Sequence, residues 1–358
     1  MSTTIDDIID GSEPPSPPRR SVFGRLYHGE TSVDFYGRRW WGLIVSAILV
    51  VVTVVSLFAQ GLSLGLDFQG GVVWEVPSGQ LSEDLARTLL GDNGIDGNSA
   101  KVQTLTSDRG TRLRIQVGDQ PQAVVENVRE QLAAVADVPL EEVTSTSVSA
   151  SWGRSITEKA VRALVVFIVL VALFISWRLE WRMALAGIVA MVHDVIVSVG
   201  VYSVFRFEVT PATVVAFLTI LGYSLYDTIV VFDKVRENAP KFVTAKAPYG
   251  DIMNVSMNQV LMRSLNTSIS SALPVLSLLI VGSGLLGVVS LREFALALFV
   301  GILTGAYSSI FIAAPILVML HEREPGFRAQ RGQHATGAEL ERLVLGGSPA
   351  GHKREVVR

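Results

Sequence analysis

The sequence predicts an α-helical membrane protein with six spanning helices and one folded α+β domain inserted between the first and second. Three observations predict it. Of 358 residues, 49% are hydrophobic and only 18% are charged, a balance too apolar for an ordinary water-soluble chain of this length. The apolar residues gather into six runs of roughly 20, the number that crosses a bilayer as a helix. Between the first and second runs the pattern changes to alternating strands and amphipathic helices.

The runs lie near 41–59, 161–176, 184–204, 211–232, 266–286 and 295–318. Arg19, Arg20, Arg25, Arg38 and Arg39 precede the first run, and Arg178 and Arg182 lie between the second and third. The stretch between the fourth and fifth carries Lys234, Arg236, Lys241, Lys246 and Arg263, whereas the alternate loops carry only Arg206 and Arg292. Positive loops stay inside, so both termini are expected in the cytoplasm, with Trp40, Trp41, Trp177 and Trp181 as interfacial anchors. Residues 1–40 form an N-terminal arm in which GSEPPSPPRR is expected to be disordered, and 321–358 a disordered polar tail. The segment PPRRSVFGR resembles a twin-arginine export signal, but about 20 mostly polar residues separate it from an apolar run too long for a signal peptide. The first helix is therefore expected to stay.

The insert, 60–160, is expected to be extracytoplasmic and ferredoxin-like. A strand at 72–76 precedes a helix with Leu81, Leu85 and Leu89 on one stripe, then strands at 101–105 and 112–117. A second helix places Val125, Val128, Leu132 and Val135 on one face, before a last strand at 143–149. The order βαββαβ is the split βαβ arrangement, which by itself indicates no activity. The insert has no cluster of carboxylates with histidine and no nucleophile motif, which suits an interaction module.

Several chemistries are excluded. The chain has no cysteine, its five histidines are scattered, and no GxxxxGK[ST] phosphate loop occurs, so no cofactor, metal site or nucleotide hydrolysis is expected. A net charge of -3 gives no basis for a nucleic-acid partner. What remains is ionisable chemistry inside the membrane, where a charged side chain costs about 2.5–3.5 kcal/mol and marks a pathway or a paired network. Asp194, preceded by His193, lies mid-way along the third helix, where the two could also form a structural pair. Asp227 lies within the fourth, with Tyr223, Ser224 and Thr228 as candidate hydrogen-bond partners. Asp233 stands close to Lys234 and Arg236, where a solvated ion pair explains it. Arg263 is placed at the start of the fifth helix, free to reach inward or to snorkel. GILTG at 301–305 allows close helix approach, and Pro274 interrupts the fifth helix as a possible hinge.

Four segments together carry a resemblance. GLDFQGG at 65–71, GYSLYDTIVVFDKVREN at 222–238, NQVLMRSL at 258–265 and GAYSSIFIAAPIL at 305–317 resemble the SecF family of bacterial protein-export membrane subunits, in the family's order, from about Tyr36 to Leu320. The chain departs from the family at SASWGRSI, 149–156, where a Gly-Pro-containing segment is usual. The resemblance implies one half of an RND-type transporter, a partner SecD supplying the other half, the SecYEG channel, and a polypeptide in transit across the lipid bilayer. It also implies that Asp227 and Arg263 take part in proton movement; Asp194 is a further candidate by its place within the third helix. Gly65, Asp67, Gly70 and Gly71 mark one motif, and Gly222, Asp233 and Arg236 another. Two other functions fit the residues: an RND-type small-molecule or lipid exporter, which should carry a larger domain and both halves in one chain, and a non-transporting assembly subunit.

Overall fold

The computed structural model describes Gly24 and residues 30–79, 81–107, 110–243, 247–285 and 289–346. The proline-rich stretch 11–20 and the residues after 346 lie outside them. Six helices among the described residues are long and apolar enough to span a membrane. The first, α1 (Arg39–Gln60), leads through a two-residue strand, β1 (Ser63–Leu64), and a single turn, α2 (Leu66–Gln69), into the inserted domain.

That domain runs β2 (Gly71–Pro77), α3 (Glu83–Asp92), β3 (Lys101–Ser107), β4 (Gly110–Val117), α4 (Gln122–Ala136) and β5 (Thr144–Val148). Its antiparallel sheet has the order β3-β4-β2-β5, the ferredoxin-like arrangement. Val72, Trp74 and Val76 alternate inward with Leu113, Ile115 and Val117, and meet Val125, Val128 and Leu132 of α4. Such period-two alternation lets one face bury while the other stays polar. The helical stripe differs from the expected one at Leu85, which is exposed. Ser82 caps α3 by accepting from the Leu85 amide, so Leu81 stands just ahead of the helix, and the inward face falls on Ala86, Leu89 and Leu90.

The other spanning helices are α5 (Ala150–Arg178), α6 (Trp181–Val204), α7 (Pro211–Val243), α8 (Tyr249–Ser277) and α9 (Val289–Ser308), with β6 (Glu208–Val209) between α6 and α7. From Leu278 to Leu285 α8 continues as a π-helix, beginning four residues after Pro274. A π-helical segment, Ser309–Ala313, also joins α9 to α10 (Ala314–His321). Trp40, Trp41, Trp177 and Trp181 are all exposed, at the helix ends away from the inserted domain.

Two expectations change at that end. The fifth spanning helix starts at Tyr249 rather than near 266, which puts Arg263 well inside α8 and not at its start. Hydropathy misses this stretch because Asp251, Asn254, Ser256 and Asn258 are polar, yet all four are fully buried. Asn254 and Asn258 accept from the Tyr36 and Val33 amides, each at 2.8 Å, so the arm from Thr31 to Tyr36 is fastened to α8. The tail is likewise folded as far as it is described: α11 (Gly337–Val344) buries Leu340, Leu343 and Val344 in the bundle core. The i, i+3, i+4 spacing of those residues makes an amphipathic helix within a polar segment.

The GLDFQGG motif is a junction. Gly71 has φ +121° and packs on the Val117 carbonyl, while Gly70, at φ +76°, lies where a Cβ would stand 2.8 Å from the Ala150 backbone. Only glycine fits both the conformation and the space. Gly65 donates its amide to the Val209 carbonyl at 2.8 Å, and a Cβ there would meet Glu208 Oε1 at 3.0 Å. Asp67 sits in the first turn of α2. The motif therefore joins α1, the domain, α5 and the α6–α7 connection.

Candidate functional site

The site is built where α9 presses on α7. Gly301 packs directly on Ile220, and a Cβ on Gly305 would stand 2.7 Å from that of Ser224, so small residues set the approach. One turn further on, the π-helical segment turns Ser309 toward α7, and its hydroxyl donates to Asp227 Oδ2 at 2.7 Å. From the other side Ser264 of α8 donates to Asp227 Oδ1 at 2.6 Å. Asp227 is buried, with both carboxylate oxygens engaged by hydroxyls from two different helices. A hydroxyl can donate to a carboxylate or accept from a carboxylic acid by rotating, so both serines can partner the side chain in either protonation state.

Asp194 of α6 forms a second buried site. Ser224 Oγ donates to its Oδ2 at 2.5 Å, and His193 Nδ1 lies 3.4 Å from Oδ1, a long contact for a hydrogen bond. His193 also stacks obliquely on Tyr307, their centroids 6.2 Å apart. On its other side Asp194 lines an apolar cavity of about 140 Å³ between α5, α6 and α7. Ser224 and Asp227 are three residues apart on α7, so the two acids stand on neighbouring seams of one helix.

The proposed partners of Asp227 on its own helix do not bond to it. Tyr223 donates to the Thr267 carbonyl at 2.7 Å, Ser224 goes to Asp194, and Thr228 returns to the Ser224 carbonyl at 3.2 Å. Side chains lean toward the helix N-terminus, and back-bonding to the preceding turn is the local choice of a mid-helix threonine. The partners that do form, Ser264 and Ser309, carry no signal in hydropathy.

Arg263 does not reach Asp227. Its guanidinium is exposed on α8 and donates to the Tyr226 hydroxyl at 3.2 Å. Gly222, exposed with open space where a Cβ would be, shares the face of α7 with Tyr226. Asn266, Ser270 and Pro274 are also exposed on α8, beside the exposed Leu265, Ile269 and Leu273. Asp233 and Arg236 form a surface ion pair at 3.2 Å, apart from the acid sites. Among the described residues no three His, Asp or Glu side chains gather as a metal site would need.

Known proteins resemble this chain over most of its length. The family model for the C-terminal region of the protein export membrane proteins SecD/SecF matches residues 127–323, and the SecD/SecF GG motif matches 55–80. The protein translocase subunit SecF of Streptomyces coelicolor is 42% identical over 308 residues, 85% of this chain and 81% of that protein. The SecF subunit of Mycobacterium tuberculosis is 43% identical over 320 residues, 85% of this chain and 70% of its own. The crystal structure of SecDF, a translocon-associated membrane protein from Thermus, superposes with a TM-score of 0.74 at 29% identity, covering 82% of this chain. This chain spans only 39% of that SecDF chain. With two family segments in order, relatives matched over most of their length and the same fold, the chain belongs to the SecD/SecF family of protein-export membrane proteins.

Proposed function

We propose that the chain is a SecF-like subunit of the bacterial cytoplasmic membrane, which pairs with SecD and uses the proton motive force to assist export through the SecYEG channel. The observation that carries this reading is the Asp227 cradle: a buried carboxylate held by Ser264 and Ser309, groups that accommodate both its protonation states. The exposed Arg263, Tyr226 and Gly222 surface suits a second helical half docking beside it, and the Thermus SecDF chain, far longer than this one, is named as a single translocon-associated protein. The excess of Lys and Arg at the end away from the inserted domain supports a topology with both termini in the cytoplasm and the domain outside. There it can hold an emerging polypeptide.

Each protonation state of Asp227 favours a different helix arrangement, because a neutral acid is far cheaper to bury than a charged one. One charge crossing 100 mV releases about 2.3 kcal/mol, whereas swinging a two-state equilibrium almost fully takes about 5.5 kcal/mol. More than one proton, or an added pH gradient, is therefore needed per stroke.

Asp227→Asn keeps the shape and removes titration. With SecD in energised vesicles, the variant is expected to insert and co-purify normally while losing the gradient-dependent part of export and keeping ATP-driven translocation. Unchanged gradient dependence would leave Asp227 a packing residue and return the non-transporting assembly reading to first place.

A further inference from the structure

The open face of the domain's sheet carries Lys101, Arg114 and Gln116 side by side, since Lys101 pairs with Gln116 in register and Arg114 stands two residues away on β4. This face looks onto the α6–α7 connection. Glu208 of β6, buried although charged, receives Lys101 Nζ at 3.0 Å and lies 3.6 Å from Arg114 Nη1. Lys101 also donates to Ser63 Oγ at 3.1 Å, and Ser63 pairs with Glu208 in the parallel β1–β6 ladder. Further bonds join the same two segments: Ser203 to the Gly61 carbonyl at 2.9 Å, Arg206 to the Gln60 carbonyl at 3.0 Å, and Ser56 to Ser203 at 2.7 Å. Beside this knot the domain stands off the bundle across a cavity of about 330 Å³ lined by Gln103, Tyr202, Phe205 and Glu293 among others. Strand β3 also meets the π-helical end of α8, and Glu208 supplies the ion-paired contact between the sheet and the α6–α7 connection.

The placement gives the contact a direction. Glu208 lies between α6, which carries Asp194, and α7, which begins at Pro211 and carries Asp227 about 24 Å along its axis at 1.5 Å per residue. A helix of that length transmits displacement as a rod, and a buried carboxylate engaged by two cations resists separation because parting them leaves uncompensated buried charge. We propose that Glu208 is a positioning residue that clamps the ferredoxin-like domain to the α6–α7 hairpin, so that movement of the helices bearing Asp194 and Asp227 is delivered to the domain as one rigid body. The proposal rests on the proton-driven reading for its purpose, but not for its geometry.

The test uses the full chain with a cysteine-free partner. Spin labels on cysteines replacing the exposed Glu130 of the domain and Thr219 of α7 should give one narrow distance distribution, which broadens in Glu208→Gln. In energised vesicles Glu208→Gln should lose the gradient-dependent component of export that Asp227→Asn loses, with insertion, partner co-purification and ATP-driven translocation retained. The double variant Lys101→Cys/Glu208→Cys, with no other cysteines, should behave like Glu208→Gln in export until a short bis-maleimide bridges the two thiols, when the gradient-dependent export returns. A merely structural role would not be rescued in this way. An unbroadened distance in Glu208→Gln overturns the clamp whatever the export assay shows. A broadened distance with full gradient-dependent export overturns its role in transmission. A neutral Asp227→Asn alongside a broadened distance defeats the proton-driven reading and leaves the clamp standing.

Discussion

The inserted domain and the helical bundle are built inside out relative to each other. In the domain the buried core is aliphatic and aromatic around Trp74, and Gln116 is the one buried polar residue among those described. In the bundle the exposed faces carry Val, Ile, Leu and Trp, while Ser46, Thr53, His193, Asp194, Ser224, Asp227, Asn254, Asn258 and Ser309 are buried. Water drives the first arrangement, because removing apolar surface from it is the main stabilising term. Hydrocarbon offers no such drive between helices, so small residues and interhelical hydrogen bonds hold the second together. The same substitution therefore has opposite meanings in the two regions: a hydroxyl is a defect in the domain and a fastener in the bundle.

The largest expected effect follows from breaking the domain's side of this contrast. Trp74 is fully buried, and its indole donates to the Val125 carbonyl at 3.1 Å. Trp74→Ala should cost about 3–5 kcal/mol, enough to unfold a soluble fragment spanning 60–149 that otherwise melts cooperatively. A fragment that tolerates the change would mean the domain draws its stability from the bundle, not from its own core.

A smaller effect tests the bundle's side. Ser264→Ala and Ser309→Ala each strip one donor from Asp227, and hydrogen bonds to charged groups contribute about 1.5–3 kcal/mol. Thermal unfolding in detergent should show each single loss, and a double-mutant cycle should show coupling, since both act through one carboxylate. Strict additivity would place the two hydroxyls in independent roles. Replacing a half-buried serine of the domain's sheet, such as Ser145, should do almost nothing.

The smallest effect lies outside the membrane, where the arm and the folded tail meet. His334 Nε2 lies 3.0 Å from Asp34 Oδ2, and Asn254 and the Gly37 amide donate to Asp34 Oδ1 at 2.9 and 2.8 Å. Burial favours the neutral acid, but the His334 contact and the two other bonds outweigh it and hold Asp34 below its usual value. The Asp34 hydrogen bond in turn raises His334 above its ordinary value, against the pull of burial. The histidine's contribution is whole below its unfolded pKa of about 6.5 and is lost as pH rises through the raised folded value. The carboxylate's contribution is whole above its ordinary value of 3.8 and is lost as pH falls through the lowered one. Protection of the Ala335–Val344 amides from exchange should peak between those limits and fall as pH rises through the raised His334 value, and His334→Gln should flatten the upper limb.

How much of this was legible in the sequence follows from the same contrast. The ferredoxin-like order could be read because alternation of Leu113, Ile115 and Val117 is a signal of burial from water. The spans could be read because apolar runs are the signal of burial in lipid. Polar residues buried against protein at the membrane's edge give neither signal, and so the first turns of α8, the docked tail and the fastening of the arm went unread. Asp194 and Asp227 stood out as charges among apolar residues, but their serine partners did not. A serine in a spanning helix looks the same whether it back-bonds to its own turn, as Thr228 does, or crosses to a carboxylate as Ser309 does.

The fastening of the arm has a consequence for how the chain is made. The Val33 and Tyr36 amides find their partners on Asn258 and Asn254, and the Tyr36 hydroxyl finds Glu322 at 2.6 Å. These acceptors are synthesised more than 200 residues after the groups they satisfy. Throughout synthesis the arm must therefore wait in water with its donors solvated, and it closes only when the fifth and sixth spans have been inserted with the correct orientation. A span left out or inverted would carry Asn254 or Glu322 to the wrong side of the bilayer and leave the arm free. The docked arm is thus expected to mark completed insertion, and an antibody against its folded form should bind the finished protein and not a stalled intermediate.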